Sequence, residues 1–328
     1  MVSAFLRDYG SLIITSTDMN TVPIAFAFDK NIEMPAGVAI SSLLSSADKD
    51  TFYDVFILHS DKLDFSGSKI KELTGIFPNC RITFRPVKDE FVGAFEIRGI
   101  TETCYYRLLI PELIPEYDKI LYSDVDVIFR EDLTKYYDIP LDDCYFGSVN
   151  SVPVMNDDYL SYIRRRGMAP ENGYYYSGNL IINSRKIRED AKLAEFRSHR
   201  EQKYKFQDMD IINLTCGGRI KPLPIAFCMT VNYYEAIVND RAGLRSCCTD
   251  EEMDYALKNG IVHYNGAKPW NEVCLNMDIW WNVYRKSIFF DERFAHDFWF
   301  GQTYRMEKMS LIKRIKLVGR YFRKGGRK

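Results

Sequence analysis

The sequence has no long apolar run near its start. The longest, Leu12 to Ile14, is far too short for a signal-peptide core or a membrane span, and no basic segment precedes it. The expected location is therefore the cytoplasm, where the Asn213-Leu214-Thr215 sequon is an accident of composition. Cysteine pairing is equally absent. Cys80, Cys104, Cys144, Cys216, Cys228 and Cys274 stand singly, and the adjacent Cys247 and Cys248 have no metal-binding or redox spacing. Buried, reduced thiols are expected rather than a disulfide framework. There is no internal repeat and no Pro/Gly/Ser-rich linker, which favours one continuous domain. Net charge is nearly absent too, at −1, but its distribution is uneven. Ten Lys or Arg and the single acid Glu307 fall within residues 305–328, so that segment carries +9 and the rest of the chain −10. An acidic body is a poor polyanion binder, and no nucleic-acid partner is expected.

What is present suits a packed globular protein: 328 residues, 46% hydrophobic and 14% aromatic. The first half alternates strand and helix patterns. Strands are expected over Val22–Phe28, Tyr53–His59 and Arg81–Val87, with helices over Gly37–Ser46, Ser68–Phe77 and Thr101–Leu113. Thr101 is a plausible helix cap. This rhythm predicts a mainly parallel sheet with its ligand site at the carboxyl ends of the strands. Later, Cys144–Asn150 and Ser177–Ser184 read as strands and Asp208–Gly217 as a helix stopped by glycine.

Four stretches could carry chemistry. In KILYSDVDVIFREDL an apolar strand pattern delivers Asp124 and Asp126 one residue apart. At a strand end, where the chain turns, both can converge on a divalent cation. A loop with two solvated acids is the plainer reading of such a short motif. IVHYNGAKPW presents His263, Gly266 and Lys268: an imidazole suited to a borderline metal, a glycine allowing close backbone approach, and an ammonium for a diphosphate. A lone histidine is more often structural, so the three count together or not at all. AFAFDKN offers Asp29 and Asn31 after a strand, positions suited to a base edge or ribose hydroxyl and equally ordinary in turns. In FQDMDIINL, Asp208 reads as a helix N-cap.

In order, AFAFDKN, TETCYYRLL, ILYSDVDVIFREDL, YYYSGNLIINSRK, QDMDIINL and IVHYNGAKPW resemble glycosyltransferase family 8 over roughly residues 22 to 285. That family includes bacterial lipopolysaccharide and lipooligosaccharide galactosyl- and glucosyltransferases and glycogenin. The resemblance implies an α/β GT-A fold, Rossmann-like, with a mainly parallel central sheet and helices on both faces. It implies retaining transfer of a hexose from a UDP-sugar to a glycan or glycolipid acceptor, with Mn2+ as cofactor and Mg2+ as a substitute. By position, Asp124, Asp126 and His263 would hold the metal. Ala27, Asp29 and Asn31 would contact the uridine, with Val125 beside the nucleotide and Gly266 and Lys268 on the diphosphate. Arg107, Tyr176, Asp208 and Met209 would surround the donor sugar, with Asp208, Arg107 and Lys268 nearest the chemistry.

Three positions depart from the family pattern. Tyr176 replaces an asparagine, and a phenol lacks the paired donor and acceptor of an amide. Met209 replaces a glutamine considered as a nucleophile, a role closed to a thioether, so front-side attack by the acceptor hydroxyl becomes the better hypothesis. The His263–Lys268 spacing is one residue shorter than is commonest. The expected division is an N-terminal extension over residues 1–21, the transferase domain over 22–290 and a basic tail over 291–328. In the tail, Leu311, Ile315, Val318 and Phe322 fall on one helical face among Lys313, Arg314, Lys316, Arg320, Arg323 and Lys324. That pattern fits an interfacial helix on an anionic membrane, making the protein peripheral on the inner face. The plainer reading is a helix packed on the body with its charges solvated. Two other functions compete: a phosphatase of the haloacid dehalogenase type, with Asp124 as nucleophile and Asp126 as acid/base, and a degenerate homologue that only binds nucleotide or membrane.

Overall fold

A computed structural model describes residues 19–88, 102–316 and 319. Contacts divide the chain into two units, residues 1–263 and 264–328. The first is built on a seven-stranded sheet in the order β3-β2-β1-β4-β7-β6-β8. Its strands are β1 (Asn20–Ala27), β2 (Thr51–Ser60), β3 (Cys80–Val87), β4 (Ile120–Ser123), β6 (Phe146–Ser148), β7 (Asn179–Ile182) and β8 (Ile220–Pro222). β1, β2, β3 and β4 run parallel, β7 runs antiparallel to both β4 and β6, and β6 and β8 are parallel. β1 is buried from Val22 onward, which is why it reads as an unbroken apolar run. Pro23 is tolerated because β4 pairs with β1 only at Ile24 and Ala25.

A second, three-stranded sheet has the order β5-β10-β9, with β5 (Val127–Phe129), β9 (Met229–Thr230) and β10 (Ile261–His263). β10 lies antiparallel to β5 and parallel to β9. Nothing in the sequence pattern announced this sheet, because each strand is only two or three residues long and too short for a period to show.

Several expected elements are shorter or tighter than their patterns. The Ser68–Phe77 segment is a 3-10 turn, Lys69–Glu72, followed by one helical turn, Leu73–Ile76. The segment ending at Leu113 is 3-10 over Glu102–Leu109 and α-helical only over Ile110–Leu113; Thr101, its expected cap, lies outside the described residues. Asp208 is not an N-cap. The helix Gln207–Cys216 is preceded by Phe206, and Asp208 sits within its first turn. All eight cysteines are free thiols, but Cys247 is exposed rather than buried. Asn213 of the sequon is buried, with its amide bridging the backbone N–H and C=O of Tyr175 at 2.8 and 2.9 Å.

The second unit holds the helices Met277–Lys286 and Glu292–Glu307. Trp280 and Trp281 are buried; Trp280 stacks on Tyr284 with centroids 4.9 Å apart, and Trp281 donates to the Pro269 carbonyl at 3.0 Å. Beyond this core, Phe300, Tyr304, Met306, Leu311, Ile312 and Ile315 are exposed. Val318, Phe322 and the basic residues around them lie outside the described residues. Among the described residues no helix is long and apolar enough to cross a membrane.

Candidate metal and donor site

The two aspartates sit where the chain leaves one sheet for the other. β4 ends at Ser123 in the large sheet and β5 begins at Val127 in the small one, with Asp124-Val125-Asp126 forming the link. Residues i and i+2 of an extended chain share a face, so the single intervening residue Val125 already lets both carboxylates approach a common point. β10 then pairs with β5 so that His263 lies opposite Val127. The Nε2 atom of His263 is 3.3 Å from Asp126 Oδ1 and 3.8 Å from Asp124 Oδ2. Among the described residues these three form the cluster whose ligand atoms all lie within 4.8 Å of one another. Ligands about 2.1 Å from an octahedral ion are separated by about 3 Å when adjacent and about 4 Å when opposed, so the spacing suits a divalent cation.

Surrounding groups leave the space open. The two oxygens of Asp124 divide their work: Oδ1 forms an ion pair with Arg107 at 2.9 Å and accepts from the Tyr122 hydroxyl at 3.0 Å, while Oδ2 faces His263. Gly178 makes room for both. A Cβ there would stand 2.3 Å from His263 Cε1 and 2.8 Å from Asp124 Oδ2, so no other residue fits without moving a ligand. The donor set of two carboxylates and one imidazole accommodates hard or borderline divalent ions.

Arg107 ties this site to the helix that carries Asp208. The buried guanidinium lies 4.4 Å over the Tyr122 ring, donates to the Ser177 carbonyl at 2.5 Å and comes within 3.2 Å of Asp208 Oδ2. Its Nε–H is directed at the Cys104 carbonyl, at 2.8 Å, so the contact with Asp208 is ionic and Oδ2 has no aligned hydrogen bond. Burial opposes the charge on Arg107, but Asp124 and Asp208 hold it firmly protonated. Burial also raises the Asp208 pKa, and Arg107 only partly offsets it. On His263, burial opposes a proton, yet Asp126 and its other neighbours lift the pKa well above the ordinary imidazole value. One positive charge is thus held as a proton where a divalent cation would replace it.

A family model described as glycosyl transferase family 8 matches residues 23–274. The chain belongs to glycosyltransferase family 8. A Haemophilus influenzae protein named only as a glycosyltransferase is 26% identical over 208 residues, 61% of each chain. Lipopolysaccharide 1,2-glucosyltransferase of Escherichia coli is 22% identical over 260 residues, covering 76% of this chain and 72% of that one. Glycosyltransferase GlyF of Streptococcus pneumoniae is 26% identical, covering 80% of this chain and 61% of its own length. The chain therefore spans about three fifths of two of these relatives. Among solved structures, the galactosyltransferase LgtC, bound to donor and acceptor sugar analogues, superposes with a TM-score of 0.66 at 26% identity, over 84% of this chain and 99% of LgtC. The fold is GT-A. With the family established, the phosphatase reading of Asp124-Val125-Asp126 falls away: the pair follows the fourth strand and faces His263, rather than standing alone after the first.

The other residues expected in a family 8 site fall as follows. Ala27 ends β1, next to β4 in the sheet, so Asp29 and Asn31 leave the same carboxyl edge as Asp124. Asp29 is half-buried and accepts the Asn31 backbone N–H at 2.8 Å, an Asx turn that opens the 3-10 turn Lys30–Ile32. Asn31 is exposed and Val125 buried. Tyr176 is half-buried, with its hydroxyl 3.3 Å from Thr230 Oγ1, the residue paired with His263 across β9 and β10. Met209 is half-buried and its carbonyl accepts from Asn213 at 2.8 Å. Gly266 and Lys268 belong to the second unit; a Cβ on Gly266 would meet nothing, and Lys268 Nζ donates to the Tyr264 carbonyl at 2.6 Å. Sequence reasoning missed Gly178, Cys228 and Asp210. Only Gly178, next to Tyr176-Ser177, carried a signal, as a glycine entering a strand.

Proposed function

We propose that this family 8 enzyme moves a hexose, galactose or glucose, from a UDP-sugar to a glycan or glycolipid acceptor with retention, in lipopolysaccharide, capsule or other cell-surface glycan synthesis. The carrying observation is the Asp124–Asp126–His263 cluster, kept open by Gly178, at the carboxyl edge of a mainly parallel sheet. Its donor set supports Mn2+ as the cofactor, with Mg2+ as substitute, and a bound ion supplies positive charge to the departing diphosphate. In this reading Ala27, Asp29, Asn31 and Val125 receive the nucleotide, and Gly266 and Lys268 bind the diphosphate. Arg107, Tyr176, Asp208 and Met209 line the donor sugar. The buried Asp208 carboxylate, with one oxygen lacking an aligned hydrogen bond, offers an acceptor to a sugar hydroxyl. Because Met209 has no amide oxygen to act in place of the family's glutamine, attack by the acceptor hydroxyl on the same face as the leaving group accounts for retention.

The deciding experiment is hydrolysis of a UDP-sugar panel by the full chain, with Mn2+ and with EDTA. Mn2+-dependent UDP release from UDP-galactose or UDP-glucose is the expected result. A silent panel alongside measurable UDP binding would make the chain a degenerate homologue. The exposed Phe300, Tyr304, Leu311, Ile312 and Ile315, set among Arg305, Lys308, Lys313, Arg314 and Lys316, support attachment to an anionic membrane, with the protein peripheral on its cytoplasmic face. Truncation after Tyr304 is expected to preserve UDP binding and abolish co-sedimentation with anionic liposomes. Unchanged sedimentation would remove the tail from this role.

A further inference from the structure

His263 can serve a metal only through Nε2, the nitrogen that faces both aspartates, and the neutral ring must then carry its proton on Nδ1. A buried N–H needs an acceptor, and Cys228 Sγ lies 3.4 Å from Nδ1. Cys228 is itself fully buried and held from its other side. Ser123 Oγ is 2.7 Å from Asn179 Oδ1, which turns the amide so that Nδ2 donates to Cys228 Sγ at 3.3 Å. The chain Ser123–Asn179–Cys228–His263 is buried throughout, and the sulfur's lone pairs take two N–H donors.

Backbone geometry sets this contact. Cys228 immediately precedes β9, whose parallel pairing with β10 matches Met229 to Val262 and Thr230 to His263. Gly260, at φ +76°, lets the turn Ile225–Cys228 close against the start of β10. A Cβ there would fall 2.0 Å from the Ala226 carbonyl oxygen. The sulfur is therefore built into the small sheet at the height of the histidine ring.

We infer that Cys228 is a positioning residue for the metal site: its sulfur accepts the Nδ1–H of His263 and holds the ring in the tautomer that presents a bare Nε2 to the ion. The inference rests on the metal reading of Asp124, Asp126 and His263 given above. Outer-shell partners of ligating histidines change metal affinity by about 10- to 100-fold when removed.

The test uses the full chain without donor and counts free Mn2+ by its electron paramagnetic resonance signal, beside a melting curve for each variant. Cys228→Val fills the space without an acceptor, and Cys228→Ser keeps an acceptor in a smaller side chain. Positioning predicts that Val melts near wild type yet binds Mn2+ about 10- to 100-fold more weakly, while Ser binds nearly as wild type even if it melts earlier. A packing role predicts the reverse order and overturns the inference. If Val binds as tightly as wild type while Asp126→Asn has lost the ion, the inference fails and the metal site stands. If wild type itself binds no Mn2+, both fail together.

Discussion

The chain contains Asp-x-Asp at three places in its first unit; Asp48-Lys49-Asp50 is exposed, and the fold treats the other two pairs in opposite ways. Asp124 and Asp126 lie on a link between sheets, partly open, and converge with His263. Asp208 and Asp210 lie in the first turn of a helix, both buried, and each is turned to a separate partner set. Asp208 meets Arg107. Asp210 accepts from the hydroxyls of Tyr162 and Tyr174, both at 2.6 Å, and from the Phe206 backbone N–H at 2.9 Å. One pair keeps ligand oxygens facing a common space and stays poised for a cation. In the other, Asp210 is spent on architecture, so only Asp208 can still serve a substrate. Identical spacing therefore carries no chemistry of its own; the backbone path between the two carboxylates decides it.

Asp126→Asn should break the contrast most sharply, lowering Mn2+-dependent UDP release by about 100- to 1,000-fold with little change in melting temperature. If release is retained, the convergent pair is not the metal site. Asp210→Ala should do the opposite. It strands two hydroxyls and an N–H, costing about 3 kcal/mol in urea unfolding while the folded protein still binds Mn2+. A loss of Mn2+ affinity without a loss of stability would reverse the two roles.

Gly178→Ala sharpens the comparison at the first pair alone. The added methyl presses on His263 and Asp124, so Mn2+ affinity measured calorimetrically should fall by about tenfold or more. Wild-type affinity would mean that the ligands move freely. The smallest effect is expected at Asp208. Its pKa is raised in the folded protein by burial, so its stability contribution is complete below the ordinary carboxylate pKa of about 4 and is lost as pH rises through the folded value. The stability of Asp208→Asn relative to wild type should therefore climb with pH above about 4 and then level off. A difference that stays flat, in urea titrations across that range, would show that Arg107 cancels the burial cost.

The parallel half of the sheet was legible because β1 and β2 are long and apolar, β3 alternates apolar and polar residues, and turn residues punctuate all three. The motif blocks identified the family for the same reason that several ordered short matches outweigh any one. What escaped notice was small or relational. β5, β9 and β10 are too short for an alternation to repeat, and the clash that forces glycine at position 178 involves His263, far away in sequence. Asp208 looked like a cap because Asp before an apolar run usually is one, and its burial against Arg107 depends on a contact a hundred residues away. The aromatic residues Phe300 and Tyr304 are exposed on the helix Glu292–Glu307, upstream of the basic cluster, where charge alone did not draw attention.

The route of the chain between the two sheets has a further consequence. Asp126 enters the small sheet on β5, whereas His263 arrives only on β10, after every strand of the large sheet has been made. An ion gripped by both is a removable crosslink across a very long loop, and closing long loops restricts the unfolded chain most. During synthesis the complete grip cannot exist until residue 263 has emerged, so a prematurely ended chain lacks the full ligand set. A metal bound at this site would in that sense be a proof of length, and its chelation would be expected to loosen the β5–β10 seam before it disturbs the parallel strands.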